Sequence, residues 1–296
     1  MKLVNYITLP DNRKLAYAEF GAANGVPVVY CHEAGSSRLE PLLIGDDIFK
    51  HYGLRVIAPD RPGMGQSDFQ RGRTLSDYPH DIRCLADSLG LEQFAIMGVS
   101  GGGPHAAVCA AIIPERLNAV AIVSGAWPMD WPEATKHLAL ANRLNWAVAK
   151  HVPVALPLLQ QLLLLSFKGS HEKIRKRLRN SMPAPDYQAI SKPDRLEALV
   201  KMTTETTHQD TKGSSWDLRL FVQDFGFRLD DIQIPVNLFH GGLDESVPLA
   251  MAQRGADMLP HAQLTIYEHE AHLSTLINCF DDVAQALLSG VETKTV

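Results

Sequence analysis

Apolar and polar residues alternate at the start of the chain and then give way to short, uninterrupted apolar runs. Alternation over residues 3–9 and 15–20, on either side of a Pro-Asp-Asn turn, predicts an antiparallel hairpin. Apolar runs follow at 26–31, 54–58 and 94–97. Runs of this length without alternation are typical of parallel strands that are buried on both faces.

Segments with helical spacing separate these strands. Residues 75–89 repeat apolar positions at helical intervals and stop at Gly90, and the Ala-rich segment 102–113 stops at Pro114. The run at 119–123 predicts a further strand. This succession of strand, loop and helix indicates an α/β fold with a doubly wound, mostly parallel sheet.

The succession is interrupted over residues 127–228, where no strand-like run occurs. Helical patterns occupy this stretch at about 131–150, 154–167, 171–180, 193–211 and 215–224. Strand patterns resume at 236–239 and 264–267, and a last helix is predicted at 280–288. A helical insertion at this point of an α/β core is expected to fold over the carboxyl ends of the strands.

We therefore predict an α/β core made of residues 1–126 and 229–296, with a helical cap made of residues 127–228. The composition agrees with a globular protein, because 46% of the 296 residues are apolar and 21% are charged. The formal net charge of −5 lacks the basic excess that is typical of nucleic-acid binding.

The cysteines and the N-terminal residues give no indication of a metal site, a disulfide framework or a signal peptide. No CxxC pair occurs, so the spacing predicts neither a zinc site nor a disulfide framework; the four cysteines are Cys31, Cys84, Cys109 and Cys279. Residues 1–14 have no apolar signal-peptide core, and the most apolar stretch, 152–167, is shorter than a membrane span. We expect a cytoplasmic protein.

One glycine-rich turn contains a candidate nucleophile. Residues 98–102 read Gly-Val-Ser-Gly-Gly, a G-x-S-x-G sequence between an apolar run and an Ala-rich helix. This context is typical of a nucleophile elbow, in which small neighbours let a strained serine turn approach the sheet. We predict Ser100 as the nucleophile. The sequence has neither the Lys-Ser/Thr of a P-loop nor a complete dinucleotide fingerprint, which argues against a phosphate-binding turn.

A serine nucleophile needs a base that is oriented by an acid. After a nucleophile elbow the chain order is acid and then His, each following a late strand. Asp244 follows the run at 236–239, and His272 follows the run at 264–267. We predict Asp244 as the acid and His272 as the base, with His269 as the rival base.

With these residues the chain resembles capped serine hydrolases of the α/β-hydrolase fold superfamily over essentially its whole length. Residues 60–67 read Asp-Arg-Pro-Gly-Met-Gly-Gln-Ser and are similar to the D-x-x-G-x-G-x-S loop of that superfamily. The resemblance implies a hydrolase that needs neither a cofactor nor a metal. Because residue 100 is Ser and not Asp, dehalogenase and epoxide-hydrolase chemistry are disfavoured.

The resemblance also implies an oxyanion hole, with N–H donors from Gly101 and from Ala34 in a Cys-His-Glu-Ala-Gly segment. Glu33 stands where the superfamily usually has glycine. At roughly 6 Å and an effective dielectric near 20, its charge would oppose the oxyanion by about 3 kcal/mol. We expect Glu33 to turn away and pair with Arg38 or Arg61; the alternative is that it faces the pocket and meets a cationic or hydroxyl group of the substrate.

Other residues are weaker candidates for the substrate pocket. His105, on the elbow helix, and Trp127, at the start of the cap, are both placed near it. The Leu-rich segments 156–165 and 196–202 predict an apolar acyl-binding cavity under the cap. The basic run 171–179 is either a solvated helix face or a funnel for an anionic substrate.

Three functions agree with these features. The first is a carboxylesterase-like serine hydrolase that cleaves an ester, thioester, lactone or amide of a small to medium, largely apolar substrate through an acyl-enzyme. The alternatives are a C–C bond hydrolase on the same triad and a non-catalytic ligand-binding protein. We expect a small-molecule substrate, no nucleic-acid or membrane partner, and a monomer or homodimer.

Overall fold

A computed structural model describes residues 1–134, 138, 140–164, 167 and 169–292. The strands are β1 Lys2–Thr8, β2 Lys14–Gly21, β3 Val26–Cys31, β4 Leu54–Pro59, β5 Phe94–Val99, β6 Leu117–Val123, β7 Val236–Gly241 and β8 Ala262–Tyr267. They form one sheet in the order β1-β2-β4-β3-β5-β6-β7-β8. The β1–β2 and β2–β4 pairs are antiparallel and all the others are parallel, which confirms the predicted hairpin and mostly parallel sheet.

Helices cover both faces of this sheet. They are α1 Asp46–His51, α2 Tyr78–Ser88, α3 Gly103–Ile112, α4 Leu140–His151, α5 Leu156–Leu164, α6 His171–Ser181, α7 Ala184–Ile190, α8 Pro193–Thr206, α9 Lys212–Phe221, α10 Leu249–Met258, α11 His272–Asn278 and α12 Phe280–Glu292. In β5, Phe94 and Ile96 pack with the α2, α3 and α10 side, whereas Ala95 and Met97 pack with α1 and α12. Burial on both faces explains why this strand is apolar without alternation.

The chain between β6 and β7 is helical in the residues that the structure describes, from α4 to α9. The helix predicted at 131–150 begins only at Leu140 as α4, and residues 135–137 and 139 lie outside the described part. Two short helices, α1 and α7, were not predicted from the sequence. Both are too short, at six and seven residues, to show helical periodicity. The assignment of residues 127–228 to a separate cap stays a prediction.

Among the described residues, no single helix combines the length and apolar character needed to cross a bilayer. The segments Arg143–His151 and Pro153–Leu164 meet that criterion only when taken together, and they are bent by 117° where they join.

A buried ion pair connects α9 to the loop after β4. Arg61, in the loop after β4, is fully buried, and its Nε lies 2.6 Å from Oδ2 of Asp217 in α9. Arg73 contacts the other carboxylate oxygen of Asp217. Although burial opposes ionisation, the two guanidinium groups hold the pKa of Asp217 well below its usual range. Helix α9 is therefore tied to the chain that follows β4 by a buried ion pair.

Replacing Asp217 with Asn is expected to lower the free energy of unfolding by about 3–5 kcal/mol, because Arg61 would remain buried without a counter-charge. Urea denaturation measures the change. Asp230→Asn, which breaks an exposed pair with Arg228, is the control and should leave stability unchanged. A loss at Asp217 no larger than that of the control would show that the buried pair does not hold the two parts together.

Candidate active site

Ser100 occupies a strained turn at the end of β5. Its φ is +50°, a left-handed conformation that residues with a side chain rarely adopt. The neighbouring glycines make this turn possible. A Cβ on Gly98 would lie 2.4 Å from the carbonyl oxygen of Gly102, and a Cβ on Gly102 would lie 1.9 Å from that of Cys31. The small residues of the G-x-S-x-G motif are thus required by close backbone packing.

Asp244 and His272 form a hydrogen-bonded pair beyond the ends of β7 and β8. His272 Nδ1 lies 2.7 Å from Asp244 Oδ2. The other carboxylate oxygen accepts N–H groups from Ser246 at 2.8 Å and Val247 at 2.9 Å, which fixes its orientation. Because Nδ1 is engaged by Asp244, Nε2 is the imidazole nitrogen available for proton exchange.

Charge determines the protonation of this pair. Burial opposes a charge on His272, but the carboxylates of Asp244 and Glu33 raise its pKa to about 9. Burial likewise opposes ionisation of Asp244, but the charge and hydrogen bond of His272 lower the pKa of Asp244. His272 is therefore mostly protonated at neutral pH, and it accepts a proton only in the fraction of molecules in which it is neutral.

Ser100 and His272 line the same cavity, which has a volume of about 400 Å³. Gly101 and Ala34, the predicted oxyanion donors, line it as well, and a Cβ on Gly101 would lie only 2.8 Å from the Ala34 nitrogen. Residues between β6 and β7 also line the cavity, namely Met129, Asn145, Trp146, Ser181, Met182, Pro183, Asp186 and Phe221. The structure thus brings the predicted nucleophile, base and oxyanion donors to one place.

Glu33 lines this cavity and pairs with neither proposed arginine, which corrects the favoured expectation that it turns away and pairs with Arg38 or Arg61. The two proposed partners are engaged elsewhere. Arg38 pairs with Asp60 and Glu205, each at 2.7 Å, and Arg61 donates to the backbone carbonyl of Glu33, not to its carboxylate. Both guanidinium groups thus have other carboxylate partners, and the Glu33 carboxylate pairs with neither of them.

His105 and Trp127 are not part of the cavity wall, which corrects their placement as pocket residues. His105 is buried behind the elbow, with Nδ1 3.0 Å from the Gly101 carbonyl and its ring against Tyr78, and burial lowers its pKa to about 3. Trp127 is buried and stacks on Trp131. Both rings serve the packing between helices and sheet.

The Leu-rich segments do not build an apolar cavity either. Leu196, Leu199 and Met202 of α8 pack against Leu39 and Leu43 of the core. In α5, several leucines are exposed to solvent, namely Leu158, Leu162 and Leu163. The cavity wall combines apolar side chains with three carboxylates, so the prediction of a largely apolar cavity is wrong.

The three carboxylates of the wall are Glu33, Asp186 and Glu245. Burial and the neighbouring carboxylate of Glu40 raise the pKa of Glu33 to about 8, although the charge of His272 acts in the opposite direction. Asp186 is buried, its Oδ1 accepts the Ser274 N–H at 2.8 Å, and burial raises its pKa. The cavity therefore has a marked excess of acidic groups.

Several residues that support the site were not found from the sequence. Glu40 accepts the Glu33 N–H at 2.8 Å and the Tyr30 hydroxyl at 2.8 Å. Ser124, with φ +47°, donates its hydroxyl to the carbonyl of His272 at 3.1 Å. Neither Glu40 nor Ser124 lies in a motif or a periodic pattern, so only their positions in the folded chain reveal them.

Comparison with known proteins agrees with this architecture. The model of the alpha/beta hydrolase fold family matches residues 26–278. A 2-hydroxy-6-oxononadienedioate/2-hydroxy-6-oxononatrienedioate hydrolase from Paraburkholderia phymatum is 26% identical, over 92% of this chain and 88% of the relative. A non-heme chloroperoxidase from Streptomyces lividans is also 26% identical, over 90% of this chain and 92% of the relative.

Solved structures show the same fold. An esterase from Exiguobacterium antarcticum superposes with a TM-score of 0.69 at 17% identity, covering 99% of this chain and 100% of that chain. The family match covers most of the sequence, and the eight-stranded sheet, the elbow and the order of its elements agree with it. The chain therefore belongs to the alpha/beta hydrolase fold family and is a hydrolase.

Proposed function

We propose that this protein is a serine hydrolase that cleaves an ester, thioester, lactone or amide of a small to medium substrate through an acyl-enzyme. One arrangement supports this proposal above all others. Ser100, in a strained turn, shares a cavity with His272, and His272 Nδ1 lies 2.7 Å from Asp244. A serine beside a base that is oriented by an acid is the arrangement that acyl transfer requires.

In the proposed reaction the Ser100 hydroxyl oxygen attacks the substrate carbonyl while His272 accepts the hydroxyl proton. Asp244 stabilises the imidazolium that forms, and the N–H groups of Gly101 and Ala34 hold the oxyanion. His272 then donates the proton to the leaving group as the bond to the carbonyl breaks. A water molecule, deprotonated by His272, attacks the acyl-enzyme, and the acid product leaves as Ser100 regains its proton.

C–C bond hydrolysis remains the second enzymatic candidate, because the relative from Paraburkholderia phymatum is named for such a substrate. That substrate is a dioate and carries two carboxylates. The described lining of this cavity contains three carboxylates and no Lys or Arg. Repulsion between like charges disfavours a dianionic substrate here, so we rank the esterase-type reaction first.

Ser100→Ala is expected to abolish both turnover of aryl esters and labelling by a fluorophosphonate probe. The hydroxyl is the attacking group, and its loss at a half-buried turn should leave the thermal midpoint unchanged. Ser88→Ala, at the exposed end of α2, is the control and should be labelled as the parent is. A parent protein that reacts with neither reagent would support a non-catalytic binding role, and labelling that persists in Ser100→Ala would exclude Ser100 as the nucleophile.

The pH dependence of kcat/KM is expected to show an acidic limb near pH 9. His272 must be neutral to accept a proton, so activity rises as the pH rises through its pKa. Glu33→Gln removes a carboxylate that raises this pKa, so the limb should move to lower pH. The rate of hydrolysis of a neutral ester, measured from pH 5 to 10, gives the profile.

His269→Ala is the matched control for that profile, because His269 is exposed and lies outside the cavity wall. It should keep both the rate and the limb of the parent. His272→Ala should lose several orders of magnitude in kcat, since the members of a triad act as one unit. A greater loss in His269→Ala than in His272→Ala would show that the base is His269.

A further inference from the structure

Acidic side chains outnumber basic ones in the described lining of the cavity. Glu33 lies on the core side, Asp186 on the inserted α7, and the exposed Glu245 follows Asp244. Among the described lining residues there is no Lys or Arg, and His272 is the one group that becomes cationic. The cavity that already contains the proposed nucleophile and base is thus adapted to a positive charge.

Glu33 is the least compensated of these carboxylates. Its N–H donates to Glu40, and its carbonyl oxygen accepts from Arg61, so its backbone is held in place. Within the described part of the chain, its carboxylate has no hydrogen bond and no cation within ion-pairing distance. Burial opposes the ionised form of such a group unless a positive charge is close. His272 is one such charge, and an ammonium group of the substrate would be a second.

Aromatic rings complete the same wall. Trp146 of α4 and Phe221 of α9 line the cavity, with ring centroids 6.4 Å apart. An indole face attracts an ammonium group through its quadrupole, and this attraction adds to that of nearby carboxylates. Carboxylates combined with an indole ring suit an ammonium group better than a neutral polar group.

The position of Glu33 places this charge close to the reaction. Glu33 directly precedes Ala34, the proposed oxyanion donor, and its charge acts on His272. An isolated carboxylate there opposes the developing oxyanion, whereas a neighbouring ammonium group cancels that opposition. The same residue would therefore slow the hydrolysis of a neutral ester and permit that of a cationic one.

We propose that the natural substrate carries an ammonium group close to the bond that is cleaved, held by Glu33 and Asp186 and packed against Trp146. This inference rests on the proposed hydrolase function and specifies its substrate class. The ammonium group is part of either the acyl group or the leaving group, and both placements are tested below.

Two matched pairs of thioesters test the proposal. Butyrylthiocholine and S-(3,3-dimethylbutyl) thiobutyrate have the same shape, but only the first has a charged leaving group. S-methyl 4-(trimethylammonio)butanethioate and S-methyl 5,5-dimethylhexanethioate differ in the same way in the acyl group. Thiol release gives kcat/KM, and we expect the cationic member of at least one pair to be favoured by about tenfold or more.

The variants Glu33→Gln and Asp186→Asn separate charge from shape. In Glu33→Gln we expect kcat/KM to fall for the favoured cationic thioester and to rise for its neutral partner, so that the preference is lost. Asp186→Asn retains an acceptor for the Ser274 N–H and should weaken the preference without loss of folding. Glu172→Gln, which removes an exposed carboxylate of α6 outside the cavity wall, should leave the preference unchanged.

Calorimetric titration of the Ser100→Ala protein with the same four thioesters tests binding without turnover. The inference is supported if a cationic thioester binds more tightly than its neutral partner and if this difference disappears when Glu33→Gln is added. If the parent protein hydrolyses none of the thioesters but shows this binding difference, the inference stands and only the proposed function fails. Equal kcat/KM and equal binding within both pairs would overturn the inference, while hydrolysis by Ser100 would leave the proposed function intact. A preference for the neutral members would overturn it as well.

Discussion

The buried guanidinium of Arg61 links the parts of the molecule on which the site depends. It donates to the carbonyl oxygens of His32 and Glu33, and it pairs with Asp217 of α9. A charge in this position is tolerated only because its partners are fixed, since an unpaired buried cation costs several kcal/mol. The loop with the proposed oxyanion donor Ala34 and the helix that provides Phe221 to the cavity are therefore held by the same group.

A second feature of the site is the group of carboxylates around His272. Glu33, Asp186 and Asp244 together raise the pKa of His272 to about 9. The same carboxylates stabilise the imidazolium that forms when Ser100 loses its proton, yet they oppose the negative charge on the oxyanion. The stabilisation acts on the imidazolium and the opposition acts on the oxyanion of the same transition state. The net effect of the carboxylates on the rate therefore depends on the charge of the substrate.

The strained turn at Ser100 shows why part of the site could be predicted from sequence. Positions 98 and 102 require glycine because a Cβ at either position would meet backbone atoms. Both glycines lie within two residues of Ser100, so this steric requirement is visible in the sequence. The strands are apolar without alternation because helices cover both faces of the sheet. The positions of Asp244 and His272 followed from the order of the late strands, and the structure places the two side chains in contact.

What the sequence by itself determined is thus the part that depends on neighbouring residues: the sheet, the elbow and the chain order of the candidate triad. The tertiary structure alone decided that Glu33 pairs with neither Arg38 nor Arg61, because their partners are other carboxylates, namely Asp60, Glu205 and Asp217. It also decided that Asp186 lines the cavity and that His105 and Trp127 do not. The surroundings of these side chains depend on competition between residues that are far apart in the chain. Such competition produces no local sequence pattern from which it could be predicted.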